Sequence, residues 1–552
     1  MSVFGYKFRN SIAILRSKIS FPTKSFVYLP DPFTIGSHKR GEQLKNGYFL
    51  FAGHLIESPN TSIWDISFPS AEFENELHGF GWLDDLVADG SNQARNLARQ
   101  WLWEWVDRYG SSNGWLPHLT GRRIIRLINH SQMILARETI NHKKLYFKLL
   151  GHQTNFLYSR YKSETTSLKR LEALTGLVYC SSILKGKKYF LKSAMRKINR
   201  EALRCVDVNG SVKSRNPEEL LYILTMLIWS ASAAAKAKRY PLKKHQKAIE
   251  KIAPNIRSLR LGNGGMVHFH KGGRGNVRSI DQILSEIKLS NVKPQTNAMD
   301  YYRIFKNRTV LILDGGEQFM NSNSSFSALS FELSTGYEEL IVNMGPGNIF
   351  GNDWNSASRK LIAHSGVSVA NTSPSDKRIS IIPEVICTND LDNEIIECTH
   401  DGYSETYGVV HHRKIKMSSN GNIVSGVDTI LAESNIQRKI FDQWMSKTNT
   451  MPFSAQFHIA PDVAVELNED KTKVILKTLK GIIWIFEVLN GEISIQDSAF
   501  IEFSNLNPRA AKQIVVTSSA IDYQGCMNGS SQNKEYQIVI KNLKENKCLM
   551  IV

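Results

Sequence analysis

The chain has 552 residues, 42% hydrophobic and 22% charged, with a formal net charge of +18. That length exceeds one compact core, so two or three domains are expected, and the ordinary apolar content excludes a disordered chain. The charge is divided along the chain: residues 1–300 carry 46 Lys and Arg against 23 Asp and Glu, residues 301–552 only 23 against 28. A basic N-terminal half predicts a cleft that attracts a polyanion, with the second half closing over it.

The chain opens with MSVFGYKFRNSIAILRSKISF, basic and briefly apolar, but Arg16 and Lys18 interrupt the apolar run before a signal-peptide core is reached. No window approaches the ~20 apolar residues that cross a bilayer, so an integral membrane protein is not expected. Export by another route and cytoplasmic residence both stay open. Residues 64–86 (WDISFPSAEFENELHGFGWLDDL) are dense in aromatics. They fit either a wrapping loop that fills gaps between helices or a sugar-stacking lip, with His78 and Trp82 on the substrate.

From 91 to 109 the apolar residues Ala94, Leu97, Ala98, Trp101, Leu102, Trp105, Val106 and Tyr109 mark one buried helix face. Similar periodicity predicts helices over 121–138, 144–160, 167–184, 189–205, 217–237 and 242–259. No fixed-period repeat occurs, which disfavours a regular solenoid. The Gly-rich stretch 262–275 (GNGGMVHFHKGGRG) lacks GxxxxGK[ST] and reads as a loop flanking a cleft, with His268, His270 and Arg274 able to touch an anionic polymer. Residues 289–300 read as a linker, interrupted by Pro294. Beyond them a dozen short alternating runs, among them TVLILD, ELIVNM, GVVHHRKIKM, AQFHIA and GIIWIFEV, predict an antiparallel sandwich of two sheets. Cys180, Cys205, Cys387, Cys398, Cys526 and Cys548 form no CxxC pair, so neither a zinc ribbon nor a dense disulfide framework is indicated.

The succession LHGFGWLDDL, WLPHLTGRRIIRLINHS, SRNPEELL, LRLGNGGMVHF, LSFELSTGYEELIVNMG, AHSGVSV, HDGYSETYGVVHHRKI and FHIAPDVAVEL resembles the bacterial heparinase II/III-like proteins. The resemblance covers nearly the whole chain and is strongest from about residue 300, the HDGY element and its basic strand being the most specific piece. It implies an N-terminal wrapping segment (1–80), an α/α-toroid (81–290) and a C-terminal antiparallel β-sandwich (300–552). It implies a polysaccharide lyase acting on an acidic, uronate-containing polymer by β-elimination, and residence in the cell envelope or periplasm.

Such a lyase needs a cation, amide or metal at the uronate carboxylate, a base at C5 and an acid at the leaving oxygen. The resemblance places His364 in the site, with His400, Asp401 and Tyr403 from the HDGY loop and His411, His412 or Arg413 from the strand after it. A cofactor is not required; a divalent metal such as zinc on His364, His400 and Asp401 fits by ligand type, although no spacing rule supports it. The helical half departs from the family. Relatives often carry a DGGHFERSPMYH-like segment where this chain reads NGSVKSRNPEEL, so Val212 and Glu219 replace the relatives' His and Tyr. Arg122, Arg123, Asn129 and His130 are the substitutes considered, with His130 joining His364, His400 and Tyr403 as catalytic and the other three binding substrate. A catalytically degenerate protein that binds an anionic glycan during envelope or capsule assembly is the alternative. Nucleic acid is not expected, since no helix-turn-helix, RNP or zinc-finger pattern accompanies the positive charge.

Overall fold

The structure is a computed structural model that describes residues 3–19, 23–29, 34–111, 115–287, 294–319, 325–374, 380–521 and 534–542. Helices dominate as far as Ser285. Val3–Ser17 and His38–Lys45 come first, then a hairpin that pairs Tyr48–Phe51 with His54–Glu57. Ala52 and Gly53 turn it with φ 47° and 83°, the left-handed pair that a two-residue hairpin demands. Its strands are too short for their period to show in the sequence.

Asn92–Tyr109 is the helix expected over 91–109. The Ser91 hydroxyl caps it by accepting from the Ala94 N–H, and Ala94, Ala98, Trp101, Leu102 and Trp105 are buried. Pro117–Asn129 packs on Ser167–Ile183, which packs on Pro217–Lys236, which in turn meets Lys243–Ser258. Gly121 and Gly176 let the first pair cross closely. A Cβ on Gly121 would lie 2.4 Å from the Glu172 carbonyl oxygen, and one on Gly176 2.5 Å from the Gly121 Cα. Pro217–Lys236 corrects one expectation: it is long and apolar enough to cross a bilayer by length and composition. Most of that apolar window is buried against neighbouring helices, as in a soluble core helix.

The aromatic segment before the helices packs inward. Trp64, Phe80, Trp82 and Trp105 are each at most 4% exposed and meet ring to ring. Trp82 is fully buried, its Nε1 donating to the Leu77 carbonyl at 3.0 Å, so its assignment to a sugar-stacking lip is withdrawn. An apolar ring of that size lowers the free energy more in the core than at a wet cleft.

The chain from Asn297 onward builds two large sheets, and every pairing among the described residues is antiparallel. One has nine strands and includes Tyr301–Lys306, Thr309–Asp314, Phe331–Thr335, Glu338–Val342 and Thr450–Ile459. The other has eight, with Asn393–His400, Val410–Ser418 and Ile423–Leu431 adjacent. Phe453, Phe457, Trp484 and Phe486 fill the space between them. The class is that expected from the two hydrophobic periods, helices followed by an antiparallel sandwich. Cys180, Cys205, Cys387 and Cys398 are free thiols, while Cys526 and Cys548 lie outside the described residues, as does part of the expected linker.

Candidate active site

The two halves meet along a seam whose polar groups come from both. On the helical side, the loop before Pro217 ends at Arg215, whose φ of 52° turns the chain into the Asn216 cap of Pro217–Lys236. The Asn216 side chain accepts from the N–H groups of Glu218 and Glu219, and Pro217 sits at the first helical position, where its missing N–H is not needed. Arg215 reaches across the seam and ion-pairs with Asp314, at the end of strand Thr309–Asp314. It also donates to the Met299 carbonyl at 3.1 Å and lies 4.7 Å from the Tyr301 ring centroid.

Asp314 is fully buried. It accepts from the Ser327 hydroxyl at 2.6 Å and the Gln318 amide at 3.1 Å, with His270 Nε2 at 3.0 Å. Burial alone would raise its pKa, but Arg215 and these hydrogen bonds overcome it and hold the carboxylate ionised well below the usual range. A second clasp lies beside it. Glu332, fully buried, is 3.3 Å from His268 Nδ1 and accepts from the Asn343 side chain at 2.9 Å. Burial disfavours the His268 cation, yet Glu332 outweighs it and lifts the pKa to about 9.

His364 follows the short turn Leu361–Ala363 and is 3% exposed. Neither ring nitrogen completes a hydrogen bond, although the Ser358 carbonyl is near enough to favour protonation. Burial first, then His458 and His270, push its pKa down to about 3; Asp314 acts the other way. His458 is held by the Ser498 hydroxyl on Nδ1 and the Ile362 carbonyl on Nε2, both at 2.7 Å. The seam therefore contains a neutral imidazole with an uncommitted lone pair beside a locked Arg–Asp–His group. Beside the Arg215–His270 part of that group opens a cleft of about 570 Å³ lined by Arg215, His270, Lys213, Lys271, Glu219 and Phe319 among others; His364 is not part of that lining.

The remaining expected residues lie elsewhere. Alternation along Val410–Ser418 turns His411 and Arg413 inward and His412 outward to Glu433, 2.7 Å away. His411 and Arg413 are 0% and 2% exposed, so neither lines the cleft as a substrate contact. Arg413 makes a two-armed pair with Asp428, at 2.7 and 2.9 Å, and donates to the carbonyls of Leu329 and Ser365 at 2.7 and 2.5 Å. His400 Nε2 lies 3.2 Å from His411 Nδ1, and His411 Nε2 lies 2.7 Å from Asp428. Tyr403 is fully buried, its hydroxyl donating to the Val367 carbonyl at 2.6 Å. A hydroxyl so placed cannot reach a sugar, and its catalytic assignment is withdrawn. His400 is committed to His411 in the buried chain that ends on Asp428, and that contact, which His364 lacks, takes it out of the substrate assignment.

In the helices, Arg122 makes a two-armed pair with Glu76 at 3.1 and 2.9 Å. Arg123 is fully buried, 4.2 Å from the Trp105 ring centroid, and donates to the His78 carbonyl. Desolvation pushes its pKa down to about 9, and it packs in the core instead of binding substrate. Asn129 accepts from the Tyr179 hydroxyl at 2.5 Å, and His130 Nε2 lies 2.7 Å from Asp84. His78 accepts from Trp105 Nε1 at 2.9 Å and stacks on Trp64, so it too is a core residue. Among the described residues no hydrogen bond, ion pair or ring contact joins His364 to Arg122, Arg123, Asn129 or His130. Nor do His364, His400 and Asp401 form a ligand set: among the described residues the group of three within 4.8 Å is His38, Glu42 and Asp89 at the surface. Asp314, Glu332 and His458 were not anticipated. One signal was present, since the acid of TVLILD ends an otherwise apolar strand.

A family profile described as "Heparinase II/III-like, C-terminal" matches residues 292–539. Among solved structures, heparinase III superposes with a TM-score of 0.64 at 13% identity, over 97% of this chain and 89% of that one. A heparan sulfate lyase of Pedobacter heparinus gives 0.56 at 13%, over 97% and 88%. FtsZ-localized protein C of Caulobacter vibrioides is 23% identical over 508 residues, 87% of this chain and 85% of the relative. Residues 292–539 thus match the heparinase II/III-like C-terminal family, and the chain as a whole shares the helical-plus-sandwich fold of these solved structures.

Proposed function

We propose that this protein is a polysaccharide lyase-type protein that takes an acidic, uronate-containing polysaccharide into the seam cleft and breaks it by β-elimination. His364 is the observation that carries the reading. It is a neutral base with two unpartnered nitrogens, built into the protein next to Asp314 and His270. Burial holds its basicity down; a carboxylate brought in beside His270 raises it, as any nearby anion does for an imidazole. Lys213 and Lys271 at the mouth supply positive charge for the uronate. In the reaction His364 takes the C5 proton, the electron pair forms the C4–C5 double bond, and the O4 leaving group departs with a proton from solvent or a cleft acid. The test is a panel of uronate polymers followed by ultraviolet absorbance for the new double bond. A rise that His364→Ala abolishes supports the reading, and no rise with any polymer sinks it.

Binding without turnover is the second reading, and one observation favours it. The described lining of the cleft offers no tyrosine hydroxyl, and Val212 and Glu219 stand where relatives often carry His and Tyr. The Caulobacter relative is named for localisation with FtsZ, which describes a position in the cell and no reaction. A labelled uronate oligosaccharide that binds, is displaced by salt and never gains ultraviolet absorbance would select this reading and an envelope role.

A further inference from the structure

The first helix carries two stripes. Successive helical residues turn by about 100°, which sets Asn10, Ala13, Ile14 and Ser17 on one side and Phe8, Ile12, Leu15 and Ile19 on the opposite one. The first group is buried against the toroid, while Phe8, Leu15 and Ile19 are 59%, 62% and 86% exposed. Ile19 extends the stripe because the chain continues in a tight turn, with the N–H groups of Lys18 and Ile19 bonded to the carbonyls of Leu15 and Arg16. The inner side is firmly seated. Asn10 donates to the Trp115 carbonyl at 3.0 Å, Arg160 donates to Asn10 at 2.7 Å, and Asn155 donates to the Ser17 carbonyl at 3.0 Å. The outer stripe is thus presented by a fixed helix.

The exposed charges bordering the stripe are positive, while Glu164, which acts on Tyr6, is buried. Residues 1–30 contain Lys7, Arg9, Arg16, Lys18 and Lys24 and no Asp or Glu. Arg9 and Arg16 flank one edge of the stripe, Lys18 the other, and all three are exposed. Lys148, exposed on the helix that seats the first one, adds to this field, since it and Lys18 both act on His152.

We propose that this helix lies in the headgroup layer of an anionic lipid bilayer, Phe8, Ile12, Leu15 and Ile19 among the acyl chains and the flanking cations on the phosphates. An amphipathic helix with a basic border has this affinity, and it needs no membrane-spanning segment. A second copy of the chain fits the stripe less well, because a dimer through it would set Arg9, Arg16 and Lys18 beside their own counterparts. The proposal is independent of the cleft and goes beyond the polysaccharide reading.

Co-sedimentation of the full chain with vesicles of phosphatidylglycerol in phosphatidylcholine, against phosphatidylcholine alone, tests it. The protein is expected to sediment with the anionic vesicles and to be released by salt. Leu15→Glu with Ile19→Glu should weaken binding about a hundredfold, and Arg16→Gln with Lys18→Gln about tenfold. Polysaccharide binding at the cleft should be unchanged in both. As a conservative probe, Phe8→Trp should add to the wild-type emission a blue-shifted component, shielded from an aqueous quencher only when anionic vesicles are present. Failure of the wild type to sediment, equal sedimentation of the Leu15/Ile19 variant, or added emission from Phe8→Trp that stays open to the quencher on vesicles overturns the proposal. A wild-type dimer that the Leu15/Ile19 variant converts to monomer, with no vesicle binding, overturns it in favour of self-association.

Discussion

Two buried ring nitrogens without partners make His364 a thermodynamic burden, because such a group costs about 1–3 kcal/mol of desolvation that no hydrogen bond returns. His364→Leu fills the space with apolar atoms and removes both orphans, so its melting temperature is expected to rise while turnover is lost. His364→Ala should lower turnover by about a hundredfold. A lower melting temperature for His364→Leu would mean that the imidazole is held by contacts of its own. Asp314 behaves in the opposite sense. Asp314→Asn leaves Arg215 charged and buried without its anion, and a broken buried pair costs about 3–5 kcal/mol. Denaturant unfolding of that variant measures the loss; a change under about 1 kcal/mol would show that the seam relaxes and hydrates Arg215.

Burial decides the roles of whole elements too. The crossing of Pro117–Asn129 and Ser167–Ile183 depends on Gly121, so Gly121→Ala must separate two backbones and should destabilise by about 1–3 kcal/mol. The same substitution at Gly81, where an added Cβ meets nothing within 4 Å, is the control. Strand Val410–Ser418 is rich in His, Arg and Lys, yet its period of two sends His411 and Arg413 inward. Arg413 pins the carbonyl of Ser365, the residue after His364, and so positions the turn that presents the imidazole. Lys187 gives a smaller instance: although a lysine on a joint between helices, it is 1% exposed, its Nζ donating to Asn155 at 3.1 Å.

At the scale of the whole molecule, buried histidines set a pH window. His78 and His364 are held down to about 3 and His245 and His458 to about 4, so all four are neutral when folded and protonate when unfolded near their ordinary 6.5. Each contributes stability that is present above about pH 6.5 and lost as the pH falls towards 4. His268 has the opposite sign. Raised to about 9 against Glu332, it contributes fully below about 6.5 and loses its contribution as the pH rises through 9, about 3 kcal/mol in all. Thermal melts from pH 4 to 10 should therefore peak between about pH 6.5 and 8. In His268→Gln the alkaline decline should flatten, and an unchanged decline would show that the His268–Glu332 clasp contributes nothing to the seam.

Periodicity and charge, both local properties of the sequence, determined that helices precede strands, that the strands are antiparallel and that the positive charge belongs to the helical half. The helix at Asn92–Tyr109 and the strand pattern of Val410–Ser418 were legible because an amphipathic period is written in consecutive residues. The resemblance carried by HDGY and AHSGVSV lies within residues 292–539, which the heparinase II/III-like C-terminal profile matches. Tertiary structure decided which polar residues meet. His270 and Asp314 are 44 positions apart, Arg215 and Asp314 are 99, and no local period encodes a pairing across the seam. It also decided which side chains are out of reach: Trp82, Arg123, Tyr403 and His411 belong to residue types that serve active sites, but each is fully buried. Whether an aromatic or titratable group binds substrate or fills the core depends on what packs over it, and the chain supplies that cover from distant segments.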